Sequence, residues 1–136
     1  MLAARSVKHW GRGAVRGCAF TFLKESENLQ MKINVLGTEY SVIIDDTPYL
    51  ENLNADGVHK EYEKTITIRN LNGFLGQDST PKEKEARRKE VLRHEIIHAF
   101  FSESGLDDYN ANEQLVNWLA IQFPKMQKVF EEANCL

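Results

Sequence analysis

Short runs of alternating apolar and polar residues occupy the first half of the chain from residue 31 onwards. The runs at 33–36 and 40–44 flank Gly37 and predict a β-hairpin with a tight turn. The run at 64–70 alternates isoleucine with threonine, which predicts a third strand. We expect its isoleucines to face a core and its threonines to face solvent.

A long helix is predicted from Pro81 to about Ser104. Thr80 and Glu83 have the spacing of a capping box, Pro81 suits the first helical turn, and Gly105 follows the predicted end. Charged residues dominate the first turns, whereas apolar residues cover most of the circumference in the second half. That second half is therefore expected to be buried.

Further helices are predicted before and after the long one. A short helix at 48–54 starts at a proline, and an apolar pattern at 112–123 predicts a longer helix with Trp118 and Phe123 in the core. Pro124 is expected to end or kink that helix, and a last helix follows it. Together these patterns predict an α+β domain in which a short, mainly antiparallel three-stranded sheet packs on the long helix.

The long helix contains the pattern H-E-x-x-H, with His94, Glu95 and His98. Residues four apart on a helix lie on one face, one turn and about 6 Å apart, so the two imidazoles can bind one metal ion. The glutamate between them is placed to act as a general base toward a water at that metal. The pattern predicts a zinc site with Glu95 as its catalytic residue.

A catalytic zinc ion commonly has three protein ligands, so a third ligand is expected after His98. Glu103 is on the same helix and cannot turn back onto the metal, and Asp107 and Asp108 lie in a loop of undetermined geometry. Glu113 opens the next helix, which would return antiparallel to the first, and we place it first among the candidates. A competing interpretation pairs Asn110 with Glu113 in a second capping box.

The two helical segments together resemble a family of metallopeptidases. H-E-x-x-H followed by a helix of the form E-x-x-A-N-x-F-A is similar to the gluzincin arrangement, and more narrowly to the small ImmA/IrrE-type metallopeptidases of phages and mobile elements. The resemblance covers about residues 31–124. Val116 departs from the usual alanine, and Pro124 comes slightly early. The second helix matches the pattern approximately at Glu113, Asn117, Leu119, Ala120 and Pro124.

The resemblance implies a zincin-like fold and a zinc-dependent peptidase that cleaves a protein or peptide substrate, in phage or mobile-element regulation. It also implies that Asn117 holds the other ring nitrogen of the first histidine. Tyr109 and His59 are the candidates for a residue that stabilises the transition state. The alternative function is a catalytically silent metal-binding module that acts in regulation or protein interaction.

Composition narrows the class of protein. The chain has 136 residues, 42% of them hydrophobic and 27% charged, which is typical of one soluble globular domain. Residues 1–30 have a net charge of +3, so the rest has −6 within the formal total of −3, and this argues against nucleic-acid binding. Cys18 and Cys135 lack metal-ligand spacing, which favours a cytoplasmic location. The sequence has no apolar run long enough for a membrane helix and no signal for an oligomeric state.

Residues 1–30 show no defensible period and are expected to be an N-terminal extension of a domain at 31–136. A mitochondrial transit peptide and a secretory signal are the alternatives, weakened by the glycines and by the short apolar stretch. We favour a natural start at Met31, where the strand pattern begins. Deletion of residues 1–30 should therefore leave the melting temperature and the zinc affinity unchanged, and a marked fall in melting temperature would contradict this.

Overall fold

The computed structural model describes residues 30–71, 76 and 78–136. The extension predicted at 1–30 lies outside the described residues, apart from Gln30, which begins the first strand. None of the helices in these ranges has the length and apolarity that a membrane span requires.

Four strands form one mixed sheet. They are β1 (Gln30–Val35), β2 (Thr38–Asp45), β3 (Gly57–Lys60) and β4 (Thr65–Arg69). Their spatial order is β1–β2–β4–β3, with a parallel pair β2–β4 between two antiparallel pairs. The predicted hairpin is confirmed: Leu36 and Gly37 form its turn, with φ of 50° and 92°, as a two-residue turn between twisted strands requires.

The α+β class is confirmed, but the prediction of three mainly antiparallel strands is wrong. Strand β3 was not predicted because its sequence, Gly-Val-His-Lys, has no apolar alternation; it is a strand because it pairs with β4. The predicted third strand, β4, lies between β2 and β3. Its expected solvent-facing side is partly covered, since Thr67 is only 9% exposed. In the described part of the chain, β1 and β3 are the two edge strands.

Four helices complete the fold. They are α1 (Tyr49–Asn52), α2 (Pro81–Glu103), α3 (Asp107–Asn110) and α4 (Glu113–Glu132). The predicted capping box of α2 is confirmed, since the Glu83 N–H donates to Thr80 Oγ1 (3.2 Å) and the Thr80 N–H donates to Glu83 Oε2 (2.7 Å). The cap fixes where the long helix begins, and with it the position of the H-E-x-x-H motif about four turns later.

Helix α2 lies across one face of the sheet and closes the main core. The expected burial of its second half is confirmed only in part, because Val91 and Ala99 are buried while Phe100 is 43% exposed. The sheet contributes five buried residues to this core: Val35, Tyr40, Val42, Ile66 and Ile68.

Helix α4 packs on α2 through Val116 and Ala120, which are 0% and 1% exposed. Trp118 and Phe123, which we expected in the core, are each 51% exposed. Their apolar character alone suggested burial, but in the described residues too few elements pack against α4 to cover them.

Pro124 does not end helix α4, which runs through it to Glu132, so the separate last helix predicted after Pro124 is part of α4. A proline inside a helix has no N–H to donate to the carbonyl four residues earlier, here that of Ala120. That carbonyl instead accepts a 2.7 Å hydrogen bond from Arg93 Nε on α2. A side chain from the neighbouring helix thus replaces the missing backbone donor.

The carboxyl end of α2 is fixed to the sheet by Glu103. Its carboxylate accepts hydrogen bonds from Thr38 Oγ1 and Tyr40 Oη, both at 2.7 Å, and from the Lys64 ammonium. These bonds, that of Lys64 first, lower the pKa of Glu103 to about 2. Glu103 therefore joins α2 to β2 and to Lys64, the residue before β4, and has a structural role rather than a metal-binding one.

Glu103→Gln should lower the melting temperature by roughly 5–10 °C at pH 7. A carboxylate with a depressed pKa stabilises the fold above its ordinary pKa, and this stability is lost as pH falls from about 4.5 toward 2. The wild-type melting temperature should therefore fall between pH 5 and 3 more steeply than that of the variant, by scanning calorimetry. Parallel pH profiles for the two proteins would contradict the role of Glu103.

Candidate metal centre

Three side chains converge where α2 meets the start of α4. The Nε2 atoms of His94 and His98 are 3.0 Å apart. Glu113 Oε2 lies 3.2 Å from His94 Nε2, and its Oε1 lies 3.3 Å from His98 Nε2. In the described ranges, this is the only group of His, Cys, Asp or Glu residues whose donor atoms all lie within 4.8 Å of one another. The structure thus brings together the three ligands ranked first from the sequence.

The separations of these donor atoms fit a tetrahedral zinc ion. Zinc–nitrogen and zinc–oxygen bonds of about 2.0–2.1 Å at tetrahedral angles place neighbouring donor atoms about 3.3 Å apart. The two histidine nitrogens are 3.0 Å apart, and each lies 3.2 or 3.3 Å from a different carboxylate oxygen of Glu113, which is close to these values. Two imidazoles and a carboxylate are also a donor set that catalytic zinc sites use.

The orientation of His98 is set by Asn110, at the end of α3. His98 Nδ1 is 2.7 Å from Asn110 Oδ1, and Asn110 Nδ2 donates to Ser102 Oγ at 3.1 Å. Because the amide oxygen can only accept, His98 Nδ1 carries a proton, and in the neutral imidazole Nε2 then has a free lone pair. That lone pair lies beside the Glu113 carboxylate, so a cation between them would contact both groups.

The environment of His94 also favours the neutral form that binds metals. Burial lowers its pKa most, followed by the charge of His98, and the opposing effects of Glu113 and an Asn117 hydrogen bond are smaller. Asn117 follows Glu113 by one turn of α4 and contacts His94, where the resemblance places it. Which ring nitrogen it holds stays a prediction.

Asn110→Ala should weaken zinc binding by about 10- to 100-fold, as loss of an outer hydrogen bond to a metal-binding histidine typically does. The variant frees Nδ1 of His98, so the ring can rotate and change tautomer. Asn110→Asp is the matched control, because it keeps the acceptor oxygen and should keep the affinity. Competition with a chromophoric chelator measures both, and equal affinities for Asn110→Ala and wild type would refute the role.

Glu95 is 6% exposed and lies between α2 and the edge strand β3. A Cβ atom at Gly57 would come within 2.8 Å of Glu95 Oε1 and of Val91 Cγ1, so glycine allows the helix to approach the strand. The carboxylate accepts a hydrogen bond from the His59 main-chain N–H. Burial first, and the charge of Glu113 second, raise the pKa of Glu95 to about 7.

The other acidic candidates lie elsewhere. Glu103 binds the sheet, and Asp107 and Asp108 are exposed in α3. The competing capping box is not formed, because Asn112 caps α4 by accepting from the Leu115 N–H at 3.1 Å.

Tyr109 and His59 were the two candidates for stabilising a transition state. Tyr109 is 53% exposed, and its ring lies against Phe101 with the ring centroids 6.1 Å apart. His59, expected to be exposed, is half-buried on β3, and the charge of His98 helps to lower its pKa. The structure therefore relates His59, rather than Tyr109, to the metal centre.

A polar cavity of about 420 Å³ opens beside His94 and Glu95. Arg87 crosses it, with ion pairs to Asp56 (3.0 Å) and Glu90 (2.6 Å). The cavity provides room for part of a ligand next to the proposed metal position.

Sequence reasoning missed Asn110 as the partner of His98 and Gly57 as the contact of Glu95. No local sequence pattern indicates either contact. Gly57 and Glu95 are far apart in the chain, and Asn110 is separated from His98 by the end of α2 and a loop. Comparisons with models of known protein families, with curated proteins and with solved structures found no match to this chain.

Proposed function

We propose that this protein is a zinc-dependent metallopeptidase with a zincin-like arrangement of its two main helices. The observation that carries the proposal is the convergence of His94, His98 and Glu113 at tetrahedral separations. The buried Glu95 lies beside this group, on the helix that carries the two histidines.

The chemistry follows from the roles that these residues can take. A bound zinc ion would polarise a peptide carbonyl and lower the pKa of a water toward neutrality. Glu95 takes a proton from the attacking water and later gives it to the leaving amine. A pKa near 7 suits both steps, because the carboxyl group must accept and release the proton at neutral pH.

The free edge of β3 is the proposed binding site for an extended peptide. The Arg69 N–H donates to the Asp56 carbonyl at 2.9 Å, so by antiparallel alternation the backbone groups of Gly57 and His59 point away from β4. The His59 N–H binds Glu95, which leaves the Gly57 N–H and the carbonyls of Gly57 and His59 for a peptide. A substrate can add there as a further strand. Strand β4 lies between β2 and β3 and has no free edge. Protection of residues 57–60 from hydrogen exchange by bound peptide tests this, and protection confined to other segments would refute it.

The test of the function compares zinc-loaded, chelator-stripped and zinc-reloaded full-length protein on a random-sequence peptide library, with products identified by mass spectrometry. Cleavage by the loaded and reloaded samples, and its loss in the stripped one, is the expected result. Stoichiometric zinc without cleavage would refute the peptidase and favour a metal-binding module instead.

A further inference from the structure

The imidazole of His59 belongs to a hydrogen-bonded chain that starts at the end of α2. His59 Nε2 lies 3.3 Å from the Tyr40 hydroxyl oxygen, and this hydroxyl lies 2.7 Å from Glu103 Oε1. Lys64 also donates to the Glu103 carboxylate, which keeps that group charged. Tyr40 is fully buried, so the chain is held in place.

This chain fixes the tautomer of His59. The Tyr40 hydroxyl has one proton, and it donates that proton to Glu103 because a carboxylate can only accept. The hydroxyl oxygen must therefore accept from His59, so the proton of His59 is on Nε2. Burial first, and then the charges of His98 and Lys64, lower the pKa of His59 and keep it neutral. A neutral imidazole has one N–H, so Nδ1 is a bare acceptor.

His59 also lies at the proposed reaction site. It pairs with the buried Ile66, so both side chains are on the face of the sheet that α2 covers. Its main-chain N–H binds the Glu95 carboxylate, and its ring is close enough to His98 for their charges to interact. Among the described residues, no group forms a hydrogen bond with His59 Nδ1. This atom is also not among the buried side-chain atoms without a partner, so it is accessible to solvent.

We propose that His59 is a substrate-contacting catalytic residue whose Nδ1 accepts a hydrogen bond from the N–H of the scissile amide. The proposal rests on the proposed peptidase function. As Glu95 protonates the leaving nitrogen, positive charge develops there, and an acceptor on its N–H stabilises that charge. No proton moves to His59, and the bond strengthens only as the amide breaks. His59 thus stabilises the transition state, the role for which the sequence made it a candidate, by accepting from the leaving group.

Two variants separate this role from a structural one. His59→Gln can place an amide N–H near the position of Nε2, toward Tyr40, but has no atom at the position of Nδ1. His59→Asn places its amide oxygen at the position of Nδ1. On the zinc-loaded full chain with the random peptide library, His59→Gln should lower kcat about tenfold with little change in KM. His59→Asn should recover most of that rate, and both should keep stoichiometric zinc.

The outcomes distinguish this proposal from the function on which it rests. Equal rates for His59→Gln and wild type, or equally low rates for both variants, would refute the acceptor role alone. Absence of Glu95-dependent cleavage in wild type would refute the peptidase and this role together. Long-range proton–nitrogen NMR of the zinc-loaded protein should show the proton of His59 on Nε2, and a proton on Nδ1 would also overturn the proposal.

Discussion

Glu95→Gln is expected to lower the rate of peptide hydrolysis by about 10²- to 10⁴-fold while the protein keeps its zinc. The carboxamide has nearly the same shape as the carboxylate, but it cannot take a proton from water. Its oxygen can still accept from the His59 N–H and pack beside Gly57, so the contacts of the buried side chain are retained. The change therefore removes the proposed base without removing a ligand.

The measurement is the initial cleavage rate together with zinc content per chain by elemental analysis. Glu85→Gln is the matched control: it makes the same chemical change on the same helix, where Glu85 pairs with Arg88 at 2.7 Å, away from the metal centre. It should keep the wild-type rate. If Glu95→Gln also kept that rate, Glu95 would not be the base; if it lost zinc, the carboxylate would have a role in metal binding.

The sequence was sufficient for the parts of the site that depend on local rules. A capping box and a first-turn proline fix the start of α2 at Pro81, and helical spacing then puts His94 and His98 on one face. The prediction that the next helix returns antiparallel brought in Glu113, because the connection is short. Each of these inferences needs only residues that are near one another in the chain.

The rest of the site depends on contacts between distant segments. The sequence of β3 has no strand pattern, so the nearness of Gly57 and His59 to Glu95 appears only once β3 has paired with β4. The sequence suggested Asn110 only as a cap, a role that Asn112 has, and the bond of Asn110 to His98 depends on how α3 packs on α2. Local propensity carries no information about such contacts.

The course of α4 through Pro124 also depends on a contact between segments that are distant in the sequence. The local rule that proline ends or bends a helix rests on an unpaired carbonyl, and Arg93 on another helix supplies a donor to that carbonyl. The exposure of Trp118 also could not be read from the sequence, because it depends on how many elements cover α4.

Glu113→Ala is expected to lower zinc affinity by more than the 10- to 100-fold predicted for Asn110→Ala, because it removes a ligand rather than a group that orients one. The Glu113 side chain is 65% exposed, and Asn112 rather than Glu113 provides the side-chain cap of α4. The melting temperature of the metal-free protein should therefore change little. Zinc should raise the melting temperature of wild type and leave that of the variant nearly unchanged, since a ligand stabilises a fold only to the extent that it binds.

Chelator competition and calorimetry with and without zinc provide the two measurements, and matched variants identify which carboxylate binds. His98→Ala should lose zinc as Glu113→Ala does, whereas Asp107→Ala and Asp108→Ala should keep it, because both aspartates are exposed in α3 and neither belongs to the converging group. Unchanged zinc affinity in Glu113→Ala would show that the ligand assignment is wrong. If one aspartate variant then lost zinc, the third ligand would come from the segment that precedes α4.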